Sequence, residues 1–382
     1  MLYQHFDYGP NRKASPAGSV SDSRALVDIP RVVFELKNYF TKDIYMEAEL
    51  EIEHLGTGSA MEIEYEEFGE YEDEVEKGGE VTLEEFHITK NFSDLFNLRA
   101  GRIIVPVGLL NRAHKPTQFF TTIRPESETQ IIPTVWTETG LELFGKYNDL
   151  RYRLQVVSGL ESSGFSSEHW IVQGHQTKFE TVKATDLAYV LRLDYTGIDD
   201  LQIGVCGYYG NTSDNRPKPE DMKGIDGHVS IGEVHGELNT GSFIARGLFL
   251  YGNLENSKLI SQKNGVISTN SQNVRTPVAK AAMAYYVEAG YDILTFITPD
   301  SDYKLFPFGR FEYYNSMEEV ERGVFADPRF KRYVITFGLN FFPLHNLVIK
   351  TDYSMRKIGG FNSAYNNENT FGLSIGYYDT FL

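Results

Sequence analysis

Residues 46–53 read Met-Glu-Ala-Glu-Leu-Glu-Ile-Glu, an unbroken alternation of apolar and carboxylate side chains. Successive side chains of an extended strand point to opposite faces, so this segment has one apolar face and one fully charged face. The pattern recurs. Leu150, Tyr152, Leu154 and Val156 alternate with Arg151, Arg153 and Gln155, and Leu187, Tyr189, Leu191 and Leu193 with Ala188, Arg192 and Asp194. Leu347, Ile349, Thr351, Tyr353 and Met355 alternate with Lys350, Asp352, Ser354 and Arg356. A soluble sheet would show the same pattern strand by strand, and it is the number of such strands that weighs against one.

The links between strands sharpen the choice. Short links fall at 41–43, 92–97, 148–149, 197–200, 239–241, 299–302 and 342–346. Long polar segments fall between them, at 55–80, 107–136, 159–185, 210–228, 253–278, 315–328 and 357–367. Short and long connections alternate, as in an up-and-down transmembrane β-barrel with short periplasmic turns and long extracellular loops. About fifteen strands follow Pro30. For the first short link to be periplasmic, an ascending strand at 2–8 must precede it, with 9–27 as the first outer loop. That makes about sixteen strands, or eighteen if a long loop holds a hairpin, in one domain over 1–382.

Composition excludes the rivals. No apolar run approaches the roughly 18 residues of a membrane helix, and mean hydropathy is -0.33. With 24 Tyr and 26 Phe the chain is too aromatic to be disordered. Its net charge of -17 argues against a nucleic-acid partner. The single cysteine, Cys206, forms no internal disulfide and is expected on the lumen wall. Neither a charged region nor an apolar h-region precedes Leu2, so an outer-membrane protein of this sequence is expected to have lost its signal. The C-terminal strand alternates apolar residues and finishes on Phe381-Leu382.

The stretch Phe86-His-Ile-Thr-Lys90 and Phe96-Asn-Leu-Arg-Ala-Gly-Arg-Ile-Ile-Val-Pro-Val-Gly108 resembles the phosphate-selective porin O and P family, especially its Bacteroidetes-type members. The likeness continues through His114-Lys-Pro, Arg124-Pro-Glu126, Ile132-Pro-Thr-Val-Trp136 and Glu138-Thr-Gly140, and at Gly56-Thr-Gly-Ser-Ala60 and Glu66-Glu-Phe-Gly69. The resemblance covers about residues 25–180. It implies a 16-stranded general or semi-selective porin of a Gram-negative outer membrane, trimeric, with a long loop folded into the pore. The arginine ladder of the family's phosphate-selective members is not matched.

Segment 107–136 is the candidate constricting loop. It carries Arg112, His114, Lys115, Arg124 and Glu126, stiffened by Pro116, Pro125 and Pro133. Phe119-Phe120 and Ile131-Ile132 suit packing against an inner wall, where irregular backbone is tolerated beside a water-filled cavity. Arg99, Arg151, Arg153, Glu47, Glu49 and Glu51 are the expected pore-wall charges, and opposed charges at a constriction filter solutes. The other reading of the loop is an outer cap. The acidic run 62–80 is read as a solvated hairpin tip, with divalent-cation bridging to lipopolysaccharide as the rival; it lacks the order of a calcium loop.

Enzymatic readings fail on spacing. His169 and His175 lack the helical spacing of a metalloprotease pair, and no motif joins His87 or His235 to a serine. No catalytic residue, metal or organic cofactor is expected. The residues point to passive diffusion of small hydrophilic solutes or ions, with weak anion preference or none. The alternative is a closed barrel acting through its loops as a structural or surface-complex partner. Outer-membrane lipid, lipopolysaccharide and two further copies of the chain are the expected partners.

Overall fold

The computed structural model describes residues 1–7, 14–54, 58–66, 70–79, 81–111, 113, 115–176, 181–216, 222–267, 276–299, 301–360 and 363–380, with backbone alone at 58–79 and 266–267. The strands are β1 (Leu2–Phe6), β2 (Arg24–Asp28), β3 (Arg31–Thr41), β4 (Ile44–Glu53), β5 (Gly58–Glu66), β6 (Glu70–Gly79), β7 (Val81–Asn91) and β8 (Asn97–Ile104). A short helix α1 (Glu126–Thr129) follows, then β9 (Thr137–Tyr147), β10 (Leu150–Ser158), β11 (Leu187–Ile198), β12 (Leu201–Gly210), β13 (Val229–Asn239) and β14 (Phe243–Leu254). Helix α2 (Ser257–Ile267) precedes β15 (Ala281–Tyr291), and α3 (Leu294–Ile297) precedes β16 (Lys304–Glu319), β17 (Lys331–Leu344), β18 (Leu347–Ile358) and β19 (Glu368–Tyr377).

All strands except β5 and β6 join one antiparallel sheet in which chain neighbours pair from β7 to β19, β4 pairs with β7, and β1 pairs with both β19 and β2. β2 and β3 are one wall strand interrupted at Ile29-Pro30, where proline has no N–H to give the ladder. Counted that way, the seventeen sheet strands make sixteen staves, the number expected. Among the described residues β3 carries a ladder on one edge only, to β4, so the hydrogen-bonded ring stays open along β3.

The alternation puts apolar residues outside and charge inside. Leu154, Leu191, Val205, Phe249 and Phe337 are exposed, whereas Glu142, Arg192, Glu233, Arg310 and Lys350 are buried. This inversion of a soluble core is what a hydrocarbon surround requires. The closely linked ends fall at one rim. Asn148 and Asp200 turn there with φ of 51° and 62°, a left-handed conformation that Asn and Asp tolerate.

Two local expectations are corrected. The first outer loop is shorter than 9–27, because β2 occupies its end and extends the descending strand. The acidic run does fall in a hairpin as read, β5–β6, which forms its own two-stranded sheet; its acidic side chains lie outside the described residues. The link expected at 299–302 spans 292–303 and includes a helical turn, because Asp292 accepts from the N–H groups of Leu294 (3.2 Å) and Leu305 (3.0 Å) and closes a wider loop. Residues 381–382 lie outside the described part.

Candidate functional site in the barrel lumen

The segment between β8 and β9 leaves the wall at Val105 and re-enters at Trp136. Val105 N–H donates to the Trp136 carbonyl at 2.8 Å, and Asn111 bridges the base, donating to Val105 O (2.8 Å) and accepting from Trp136 N–H (2.7 Å). Between these points the chain crosses the lumen, and charged wall residues satisfy its irregular backbone. Arg192 on β11 donates to the carbonyls of Pro106 (2.8 Å) and Gly108 (3.0 Å). On β18, Lys350 donates to those of Phe119 (2.6 Å) and Thr121 (3.0 Å), its ammonium 3.7 Å from the Phe119 ring. Acids take the N–H groups: Asp352 from Thr122 at 2.5 Å, Glu312 from Ser127 at 2.9 Å, and Glu233 from Gly108.

Inward glycines let the loop touch the wall. A Cβ at Gly290 on β15 would stand 2.7 Å from the Phe120 ring, and one at Gly376 on β19 would collide with Pro116. Phe120 stacks on Phe308 of β16 (5.1 Å, 10°), below the Arg246 guanidinium.

Two loop carboxyls are held in opposite states. Burial alone would raise Glu126, but Arg356, with a 2.8 Å bond from its Nε, and the Tyr314 hydroxyl at 2.7 Å hold it down at about 2. Burial, and then the charge of Glu233, push Glu128 up to about 8. Its oxygens accept from Leu110 N–H at 3.1 and 3.2 Å.

The candidate residues fall into three groups. Lys115 reaches β3, its Nζ 3.8 Å from Glu35, both side chains 44% exposed. Near it Lys37 pairs with Glu47 (3.1 Å) and Arg31 with Glu51 (2.8 Å), with Glu49 and Glu51 buried on the same inner face. Arg99 and Arg153 meet elsewhere, on the buried Glu142 at 3.1 and 2.7 Å. Arg151 stands exposed nearer the turn at 148–149, and Glu126 faces the wall. Arg124 lies beside Leu110, Asn111 and Glu128. Arg112 and His114 lie outside the described residues.

Sequence reasoning missed the wall residues that fasten the loop: Arg192, Glu233, Arg310, Glu312, Lys350 and Asp352. They were visible as the charged half of the alternation, but nothing local assigns them to a loop. They are also largely neutralised. Arg192 pairs with Asp194 (2.9 Å), His235 bridges Asp194 (2.7 Å) and Glu233 (2.6 Å), Arg246 pairs with Glu288 (2.9 Å) and Arg310 with Glu312 (2.8 Å).

Over part of the wall the inward positions are apolar rather than charged. Inward Val190, Cys206, Tyr208, Ile231, Leu248, Leu250, Ala282, Ala284 and Tyr286 are buried and apolar. They pack with Val107, Ile132, Trp136, Leu160, Phe165, Trp170, Met222 and Ile260 from the connecting segments. Those segments bring enough apolar surface to make a dry core inside this sector of the barrel.

No family model matches the chain. An uncharacterized protein of Aquifex aeolicus (strain VF5) is 25% identical over 335 residues, 87% of this chain and 71% of that protein. Among solved structures, the outer membrane channel DcaP of Acinetobacter baumannii superposes with a TM-score of 0.55 at 10% identity, over 99% of this chain and 95% of that one. The trimer form of in-vitro folded OmpT, an outer membrane protein of Vibrio cholerae, gives 0.50 at 9% identity, over 99% and 98%. The chain has the antiparallel all-β fold of outer-membrane barrel channels.

Proposed function

We propose that the chain is an outer-membrane porin, a single barrel domain through which small hydrophilic solutes or ions diffuse passively. The observation that carries this reading is the crossing loop, docked by wall charges at 106–128, beside which Glu35, Lys37 and Lys115 keep solvent-accessible charged side chains. The loop 107–136 is the constriction, with Lys115 toward the narrow path and Glu47, Glu49 and Glu51 on its wall, while Arg124 is turned toward Leu110, Asn111 and Glu128. Weak anion preference or none follows, since interactions beyond about 8 Å are screened at physiological salt and Arg99, Arg153, Arg192, Arg246 and Arg310 on the wall are paired with carboxylates.

A homotrimer is proposed by analogy with the OmpT trimer, and membership in the phosphate-selective porin O and P family from the motifs at 86–140. No catalytic role is proposed. Planar-bilayer recording tests the reading: discrete ohmic steps support it. Silence from correctly folded protein favours the second reading, a closed barrel acting as a surface partner, for which the apolar packing inside β11–β15 is the specific support.

A further inference from the structure

Among the described links at the short-turn rim, 292–303 alone contains a helical turn, and its exposed side chains are the wrong ones for water. Phe296 is 75% and Ile297 67% exposed. The link is not slack. Buried Asp292 accepts from Leu294 and Leu305 N–H, Thr295 Oγ1 donates to Asp292 O (2.7 Å), and Thr298 N–H donates to Leu294 O (2.8 Å). So held, Phe296 stacks on Tyr291 at 5.2 Å and 15°.

Tyr291 belongs to the outward face of β15, since it pairs with Phe243 while its neighbour Gly290 meets Phe120 inside. Tyr303, at the far end of the link, lies edge-on to Phe341 of β17 at 5.8 Å. The link therefore continues the outer apolar surface at both ends.

We propose that Leu294–Ile297 is an interfacial anchor, with Phe296 and Ile297 inserted among the phospholipids of the periplasmic leaflet. The inference rests on the chain being a membrane barrel, so its test carries a control for that reading. Nitroxide labels are placed at Phe296→Cys, Ile297→Cys, Asp149→Cys and Leu154→Cys in a Cys206→Ala background. The protein is folded into phosphatidylethanolamine–phosphatidylglycerol vesicles, and access of oxygen and of a water-soluble nickel chelate to each label is compared. At 296 and 297 oxygen should exceed nickel access several-fold, approaching Leu154, while Asp149 behaves as a water-exposed turn. Labels at 296 and 297 that match Asp149 overturn the anchor. A label at Leu154 that matches Asp149 overturns the barrel reading instead.

Discussion

At the scale of single residues, the loop is held by two carboxyls two positions apart that titrate in opposite senses. Glu126 is held at about 2 against an ordinary 4.5, so its contribution is present above the ordinary value and lost only as pH falls through about 2. Removing its partner strands a buried carboxylate. Arg356→Ala should cost about 3–5 kcal/mol, read as a lower urea midpoint for the folded barrel; an unchanged midpoint would show that the pair does not fasten the loop. Glu128, at about 8, stays protonated near neutrality. It binds more protons folded than unfolded between pH 4.5 and 8, so it costs stability as pH rises through that window. Glu128→Gln should flatten the decline, checked by urea titrations at pH 5 and pH 8.

At the scale of elements, β10 tests which face meets lipid. Leu154 points outward and Arg153 inward to Glu142, which keeps Arg99 and Gln155 as partners if Arg153 is lost. Leu154→Arg, at about 2–4 kcal/mol near the midplane, should therefore lower folding yield into lipid more than Arg153→Leu. Equal yields would mean the faces are assigned wrongly. β15 tests the loop contact. Gly290→Val introduces branching where the Phe120 ring stands 2.7 Å from the Cβ position. The loop must shift, and single-channel conductance should change while the barrel still folds; an unaltered conductance would place the constriction elsewhere.

At the scale of the whole molecule, the proposed constriction sets the loop cations against a chain whose net charge is -17. Reversal potentials in a salt gradient should show little selectivity, shifting toward cations in a chain carrying both Arg112→Ala and Lys115→Ala. A strong cation preference that this double substitution leaves unchanged would remove the loop from the filter. Light scattering in mild detergent should give the mass of three chains, and a monodisperse monomer would remove the trimer.

How far each scale was legible follows from the range of the interactions involved. The wall strands, their inner and outer faces, and the alternation of short and long links are written in period-two patterns a few residues long. Each strand must meet lipid or lumen whatever its neighbours do, so Met46–Glu53 and Leu150–Val156 reveal their faces unaided. The helical turn at 294–297 has no local signature, because Ile-Leu-Thr-Phe-Ile reads as the end of a strand and only Asp292, accepting from Leu294 and Leu305, bends it away. The loop's docking was beyond any local pattern. Arg356 meets Glu126 across 230 positions and Lys350 meets Phe119 across 231. Alternation says only that such charges face inward, not which partner each will meet there. The apolar packing inside β11–β15 was hidden for the same reason: Ile231 or Leu250 facing inward looks misplaced until Trp170, Phe165 and Ile260 arrive from connecting segments to cover the inner wall. A barrel and the direction of its side chains can be read from the chain alone, because those answer to the solvent on each face. Which inward groups became wall, latch or dry core was settled on folding, because burial and pairing depend on segments that meet only once the barrel has formed.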